Sequence, residues 1–348
     1  MVLEERIALM CQLGAYLEKM DDDLKEILVQ AERQNPWFTQ QHLSLAITNI
    51  QKYFLKESLL KNWTKDYPIF SKSELSSAPT VGIVMAGNIP LVGFHDFLAV
   101  FISGCKQKIK LSSKDTVIWN HLFIILNQWS KEFKEWAQIE ERLNNCDAYI
   151  ATGSNNTAKH FEYYFKKYPH IIRSNKTSAA ILNGKESEEE LEALSDDVFS
   201  YFGLGCRNVT KIFVPKDYNF IPLLQAFNKY GYFLDYNKYK NNYDYQLALL
   251  LLNKIEYMSS DSLLLVKSDS LFSAISVLNY EYYDSIQDVE KELENDEELQ
   301  CIVSQSPLTS NLQNHFSLGQ AQTPQLNDYA DGVNTLDFLA TLRKGINK

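Results

Sequence analysis

Several features are scarce or missing in this chain, and each absence narrows what it can do. The five cysteines, Cys11, Cys105, Cys146, Cys206 and Cys301, lie far apart and form no CxxC or other metal-ligand spacing. No zinc or other metal site and no disulfide framework is therefore expected, and a reducing compartment fits. No GxGxxG fingerprint occurs, so the commonest dinucleotide signature is lacking. No apolar run is long enough to span a bilayer; "LALLLLNKI" falls well short. The first residues, "MVLEERIALMCQLGAYLEKMDDD", are acidic and periodic where a signal peptide would be basic and then continuously apolar, which gives a cytoplasmic expectation. Positive charge is in deficit, with 34 Lys and Arg against 44 Asp and Glu and a net charge of −10. That argues against a general nucleic-acid or anionic-membrane surface. The local exception, "HFEYYFKKYPH", reads as solvated lysines. There is no internal repeat and no long Pro/Gly/Ser linker.

What is present is ordinary for a globular enzyme-sized chain. At 348 residues, 45% hydrophobic and 22% charged, the length suits about two domains of roughly 150 residues each. Up to about residue 75 apolar residues recur every three or four positions, as in "IALMCQLGAYL" and "LSLAITNIQKYFLKESLL", the pattern of amphipathic helices. "NPWFTQQHL" interrupts them, with Asn35 and Pro36 at a turn, Thr39 as a helix N-cap, and Trp37 and Phe38 as core anchors.

Near residue 80 the period changes. "TVGIVMAG" reads as a buried strand, "NIP" as a tight turn and "LVGFHDFLAVFISG" as an apolar helix closed by Gly104. "KIKLSS", "DAYIATG" and "TSAAILNG" read as further strands, separated by the helices "TVIWNHLFIILNQWSKEF" and "NNTAKHFEYYFKKY". This alternation predicts an α/β fold with a doubly wound, mostly parallel sheet and a ligand beyond the carboxyl ends of the strands. After Gly184 an acidic helix, "ESEEELEALSDDVFSYFG", leads to Cys206. A second α/β unit follows, read from "VTKIFVP", "FIPLLQAFNKYG", "YQLALLLLNKIEYM", "SLLLVKS" and "LQCIVSQ". "YNKYKNNYDYQ" reads as a polar loop and helix start. The acidic runs "SEEELEALSDD" and "DVEKELENDEEL" read as solvated helix faces. A cleft between the two units is the default ligand site.

By residue type alone Cys206 reads as buried filler, Asn88 in "GNIP" as a turn residue, and Gly153 and Ser154 as a strand-to-helix turn with a cap. The ordered set changes that reading: a strand ending "MAGNIP", then "KIKLSS", then "YIATGS", then "SAAIL", then "GLGC". Together these resemble the aldehyde dehydrogenase superfamily, and more narrowly its long-chain acyl-CoA reductases of the bacterial luminescence type. The motifs cover residues 75–220, with looser similarity reaching "GQAQTPQLNDYADGVNTLDFL".

The resemblance implies two doubly wound α/β domains with a helical N-terminal segment. Residues 1–183 would form the helical segment and the cofactor domain, 184–315 the catalytic domain, and 316–348 a segment packing back on the cofactor domain. It implies that Cys206 is the nucleophile acylated by the substrate, and that the amide of Asn88 holds the oxyanion with the cysteine's own N–H. Lys110 would reach the adenosine ribose, and Gly153 and Ser154 would lie against the pyrophosphate. Many NAD-preferring relatives carry a glutamate shortly after that lysine, whereas this chain has Ser112, Ser113 and Lys114. Hydroxyls and a cation suit a 2′-phosphate, so NADPH is expected, with NADH as the alternative; Asp115 nearby has the opposite sign. Relatives that release free acids use a glutamate base before the cysteine, but "HIIRSNKTSAAIL" has no carboxylate. His170 and Arg173 lie there, and either could help lower the thiol pKa or bind a phosphate, with a structural residue as the alternative for His170; His160 is a weaker candidate.

The expectation is an NADPH-dependent reduction of a long-chain acyl-CoA, or another acyl donor, to the aldehyde through an acyl-cysteine. Alternatives are a reductase of short acyl-CoA or acyl phosphate, and a non-catalytic acyl-binding protein of the same fold. Neither a nucleic-acid partner nor a membrane span is expected, and association as a homo-oligomer is left open.

Overall fold

In the computed structural model, residues 1–71, 78–294, 296–305, 308 and 314–345 are described. They fall into two units, one made of Met1–Asn175 with Pro324–Lys348 and the other of Lys176–Thr323.

The first unit begins with helices α1 (Leu3–Lys19), α2 (Asp22–Gln34), α3 (Gln40–Tyr53) and α4 (Glu57–Thr64). Their apolar stripes are buried, with Ile7, Met10, Leu13 and Leu17 on α1. Asp21 caps α2 by accepting the Leu24 N–H at 2.9 Å, and Thr39 caps α3 by accepting the His42 N–H at 3.2 Å. Phe38 is buried and Trp37 half-buried. Then alternation sets in: β1 (Thr80–Val84), α5 (Phe94–Ser103), β2 (Lys106–Lys110), α6 (Val117–Trp129), α7 (Phe133–Trp136), β3 (Ala137–Ile139), β4 (Ala148–Thr152), α8 (Asn155–Phe165) and β5 (His170–Arg173). The strands are all parallel, in the order β3-β2-β1-β4-β5. The chain runs outward one way from β1 to β3 and the other way from β4 to β5. The switch point therefore lies between β1 and β4, where open α/β sheets take their ligands.

Helix α5 is apolar on every side because every side is covered: Phe94 and Phe97 to Ile102 are all buried. Phe97 packs against Phe101, Trp119, Phe123 and Phe133. Gly104 ends the helix in the left-handed region at φ 72°, and a Cβ there would meet the guanidinium of Arg343 at 2.7 Å and that of Arg6 at 2.8 Å. Those cations satisfy the carbonyls at the helix end, Arg6 donating to Ile102 O at 3.3 Å and Arg343 to Ser103 O.

The second unit contains β6 (Thr177–Ile181), α9 (Glu188–Phe199), β7 (Val209–Pro215), α10 (Phe220–Phe227), α11 (Asn237–Asn253), β8 (Tyr257–Ser259), β9 (Leu264–Lys267), β10 (Val277–Tyr283), α12 (Ile286–Leu293), β11 (Leu299–Val303) and β12 (His315–Phe316). Its sheet has the order β12-β11-β6-β7-β10-β9-β8 and is parallel except for the β8–β9 pair. Helix α11 takes up the segment read as a polar loop and helix start, from Asn237 on. Strand β10, which sits between β7 and β9, is absent from the sequence reading because its apolar run is broken by Asn279 and Glu281. Both find partners in the folded chain: Asn279 donates to Ser270 O and Phe272 O, and Glu281 pairs with the buried Lys211 of β7.

The unit boundaries differ from the expected ones at residues 183/184 and 315/316. Strand β6 belongs with the second unit because it pairs with β7 and β11. Residues 319–321 also stay there, because Asp197 of α9 accepts the N–H groups of Gly319 at 2.6 Å and Ala321 at 3.0 Å. From Pro324 the chain rejoins the first unit, ending in α13 (Thr335–Gly345).

Candidate functional site

Three loops leave the carboxyl edge of the first sheet at or beside its switch point. The loop after β1 carries Gly87 and Asn88, and the Asn88 side chain is exposed. The loop after β2 carries Ser112, Ser113 and Lys114, and the two loops touch: a Cβ on Gly87 would collide with Ser112 Oγ. Lys110, the last residue of β2, is exposed and makes no ion pair among the described residues. Its carbonyl accepts the Met85 N–H at 3.0 Å. The third loop is Gly153–Ser154 after β4. Ser154 caps α8, accepting the Thr157 N–H at 3.4 Å, and a Cβ on Gly153 would press on Thr157 at 3.0 Å. The structure thus gathers Asn88, Lys110, Ser112, Ser113, Gly153 and Ser154 at one edge of one sheet.

Asp115 is not on that surface. It is buried, with a side chain turned inward to accept the Leu91 N–H at 2.8 Å, and Trp119 also hydrogen-bonds it. Burial pushes its carboxyl up to about 7. What faces solvent here is cationic and hydroxylic: Lys110, Ser113 and Lys114 are exposed and Ser112 is half-buried. This donor set fits the ribose and phosphates of a nicotinamide dinucleotide, with the start of α8 at the same edge.

His170 lies at the other edge of this sheet, away from the three loops. It is the first residue of β5, at the amino edge of the sheet opposite Tyr149. Its Nδ1 faces the carbonyls of Tyr168 at 2.8 Å and Phe165 at 3.2 Å, and its Nε2 lies 3.3 Å from Glu162. It fastens the end of α8 to the strand. His160 is exposed on α8. Arg173 is buried and hydrogen-bonds Asp96 and Thr335 Oγ1.

In the second unit the chain reaches Cys206 through a reversal of hand. Tyr201, Phe202 and Gly203 have φ of 56°, 58° and 74°, a left-handed turn in which two residues carry large side chains. Each such residue costs about 1–2 kcal/mol, and strain of this kind gathers at functional sites. Aromatic packing holds it, Phe202 lying against Phe233 at 4.5 Å, Tyr236 at 5.3 Å and Tyr239 at 5.5 Å. Gly205 is buried and Cys206 half-buried. Cys206 stands at the amino edge of its sheet, just before β7, not at the carboxyl edge that the alternation rule favours.

Asn208, which sequence reasoning passed over, organises this loop. Fully buried, it accepts the Gly205 N–H at 2.7 Å on Oδ1. Its Nδ2 donates to the carbonyls of Asp197 at 3.0 Å, Val198 at 3.2 Å and Ser200 at 2.9 Å. These are carbonyls at the end of α9, where the reversal ends the regular helix. Ser178 of β6, also fully buried, donates to the Cys206 carbonyl at 3.0 Å and lies 3.0 Å from Cys301 Sγ. Burial pushes the Cys301 thiol up to about 11, which makes it inert filler. Asp197, read as part of a solvated acidic face, is fully buried, and burial raises its carboxyl to about 7. Asn295, within the second acidic run, lies outside the described residues.

None of the five cysteines is in a disulfide, and no cluster of His, Cys, Asp or Glu that could hold a metal occurs among the described residues. No helix among them is long and apolar enough to cross a membrane.

No family model matches the chain, and no curated protein matches it. Solved structures do. Aldehyde dehydrogenase 21 from Physcomitrella patens, in complex with the reaction product succinate, has a TM-score of 0.72 at 11% identity, over 98% of this chain and 84% of that one. An oxidoreductase from Marinobacter aquaeolei has a TM-score of 0.69 at 11% identity, over 93% and 79%. A Mycobacterium tuberculosis aldehyde dehydrogenase complexed with NAD+ has a TM-score of 0.65 at 14% identity, over 87% and 73%. Identities this low speak to architecture and not to activity. The chain has the fold of the aldehyde dehydrogenases.

Proposed function

We propose that this chain is an NADPH-dependent acyl-CoA reductase that forms a long-chain aldehyde through an acyl group on Cys206. The observation that carries the reading is the Cys206 loop: a half-buried cysteine delivered by a strained left-handed turn and clamped by Asn208, in a chain with the aldehyde dehydrogenase fold. The Cys206 thiolate attacks the thioester carbonyl carbon, a C–S bond forms, and the bond to CoA breaks with CoA leaving as its thiolate, which takes a proton from solvent. Asn88 donates an amide N–H to the oxyanion without adding a charge that must be neutralised when the adduct collapses. Lys110, Ser112, Ser113 and Lys114 hold the adenosine ribose and its 2′-phosphate, and the Gly153–Ser154 turn lies against the pyrophosphate. When bound, the nicotinamide supplies the hydride that reduces the acyl group.

Water is a poor competitor in this reading because the stretch from His170 to Leu182 contains no carboxylate to act as its base. The test is long-chain acyl-CoA given without NADPH. Intact mass should rise by one acyl group, peptide mapping should place it on Cys206, and added NADPH should discharge it as aldehyde. An adduct on another cysteine, or reduction by Cys206→Ala, refutes the proposal.

A further inference from the structure

The peptide groups on both sides of Cys206 are held, one by a backbone turn within the loop and the other by a side chain from β6. The Gly205 carbonyl accepts the Asn208 N–H at 3.0 Å, and the Cys206 carbonyl accepts the Ser178 hydroxyl at 3.0 Å. The peptide planes are rigid, so the only freedom at Cys206 is rotation between them. Holding both planes sets the direction of its Cα–Cβ bond, and with it the arc that Sγ can sweep. Ser178 is otherwise hard to account for. It lies in a strand whose following residues are Ala179, Ala180 and Ile181, all buried, where an alanine would pack as well and spare the burial of a hydroxyl. Asn208 holds the other side of the loop to the end of α9 through its side chain.

We infer that Ser178 and Asn208 are positioning residues for the Cys206 nucleophile, aiming its sulfur at the acyl carbonyl without touching the substrate. This rests on the reading of Cys206 as the acyl acceptor. Ser178 gives the cleaner test, because Asn208 also carries the end of α9. Ser178→Ala removes one hydroxyl and leaves the neighbouring β-pairing groups in place.

The experiment is single-turnover acylation of the full chain by palmitoyl-CoA without NADPH, followed by intact mass, alongside alkylation by iodoacetamide across pH. A displacement of about 1 Å at a reacting atom costs on the order of a hundredfold. S178A should therefore acylate at least about tenfold more slowly at saturating palmitoyl-CoA, with an unchanged half-saturating concentration. Iodoacetamide, small enough to approach from many directions, should react within about threefold of the wild-type rate and with the same pH midpoint. Were S178A unable to fold, the isosteric pair S178T and S178V carries the same comparison, the threonine keeping the fast acylation and the valine losing it. Equal acylation of wild type and S178A overturns the inference alone. A shifted alkylation midpoint overturns it too, because Ser178 would then act on the thiol's ionisation. Absence of any adduct on wild-type Cys206 overturns the functional reading and this inference with it.

Discussion

The Asp115 carboxylate accepts the backbone N–H of Leu91 at 2.8 Å, tying the loop after β2 to the loop after β1 at a residue whose φ is 55°. Burial raises that carboxyl to about 7, against an unfolded value near 4. Between those pH values the folded chain keeps a proton that the unfolded chain has released, so stability falls as pH rises and the loss is complete by about pH 7. Asp115→Asn cannot titrate. Between pH 4 and pH 8 the stability difference should move in favour of the variant by on the order of a few kcal/mol, read from urea unfolding at each pH. A difference independent of pH would show that Asp115 is ionised throughout.

The same inward turn leaves the loop after β2 with cations and hydroxyls outside. Wild-type protein should bind NADPH at least about tenfold more tightly than NADH, about 1.4 kcal/mol. D115N should preserve that ratio, whereas Lys114→Glu should erase it by weakening NADPH. Calorimetric titration decides the matter, and equal dissociation constants in the wild type refute it.

Asn88 is exposed on the loop after β1, so its side chain contributes little to the core. Asn88→Ala should melt like the wild type and bind NADPH equally well. Turnover at saturating acyl-CoA should fall by on the order of a hundredfold or more, as loss of one oxyanion donor does. Normal turnover would make Asn88 a turn residue.

Phe202 sets two effects against each other. Glycine at its φ of 58° relieves about 1–2 kcal/mol of backbone strain, yet loss of a ring buried among Phe233, Tyr236 and Tyr239 costs about 3–5 kcal/mol. Packing wins, so Phe202→Gly should lower the urea midpoint, equivalent to about 2–3 kcal/mol. A variant more stable than the wild type would mean that the aromatic cluster does not hold the turn.

Much of the fold was legible because periodicity reports burial. The shift near Thr80 from helical spacing to apolar runs marks the first strand, and Thr39 and Gly104 announce a cap and a helix end by their chemistry. Strand β10 was not legible, since Asn279 and Glu281 find partners only once β7 and the 270–272 segment are in place. The residues at the first sheet's carboxyl edge were named from the family resemblance, and they lie at that one edge. His170 was named from its position in the chain, and only the parallel register reveals that it starts its strand at the far edge. Nothing in "YFGLGCRN" signals the left-handed turn, because tyrosine and phenylalanine have no preference for positive φ. Asn208 and Ser178 gave no signal either; their partners lie on other elements, and one asparagine or serine looks like another until the fold is built.

The return of residues 324–348 to the first unit has a temporal meaning. On the ribosome, the end of α5 has Arg6 from the start but must wait for Arg343, which emerges after the whole second unit has been made. At ordinary elongation rates that interval is on the order of ten seconds. The unit that begins first is thus finished last, and the Cys206 loop is complete within its own contiguous segment while the proposed cofactor half, its five strands already made, still awaits its closing helix.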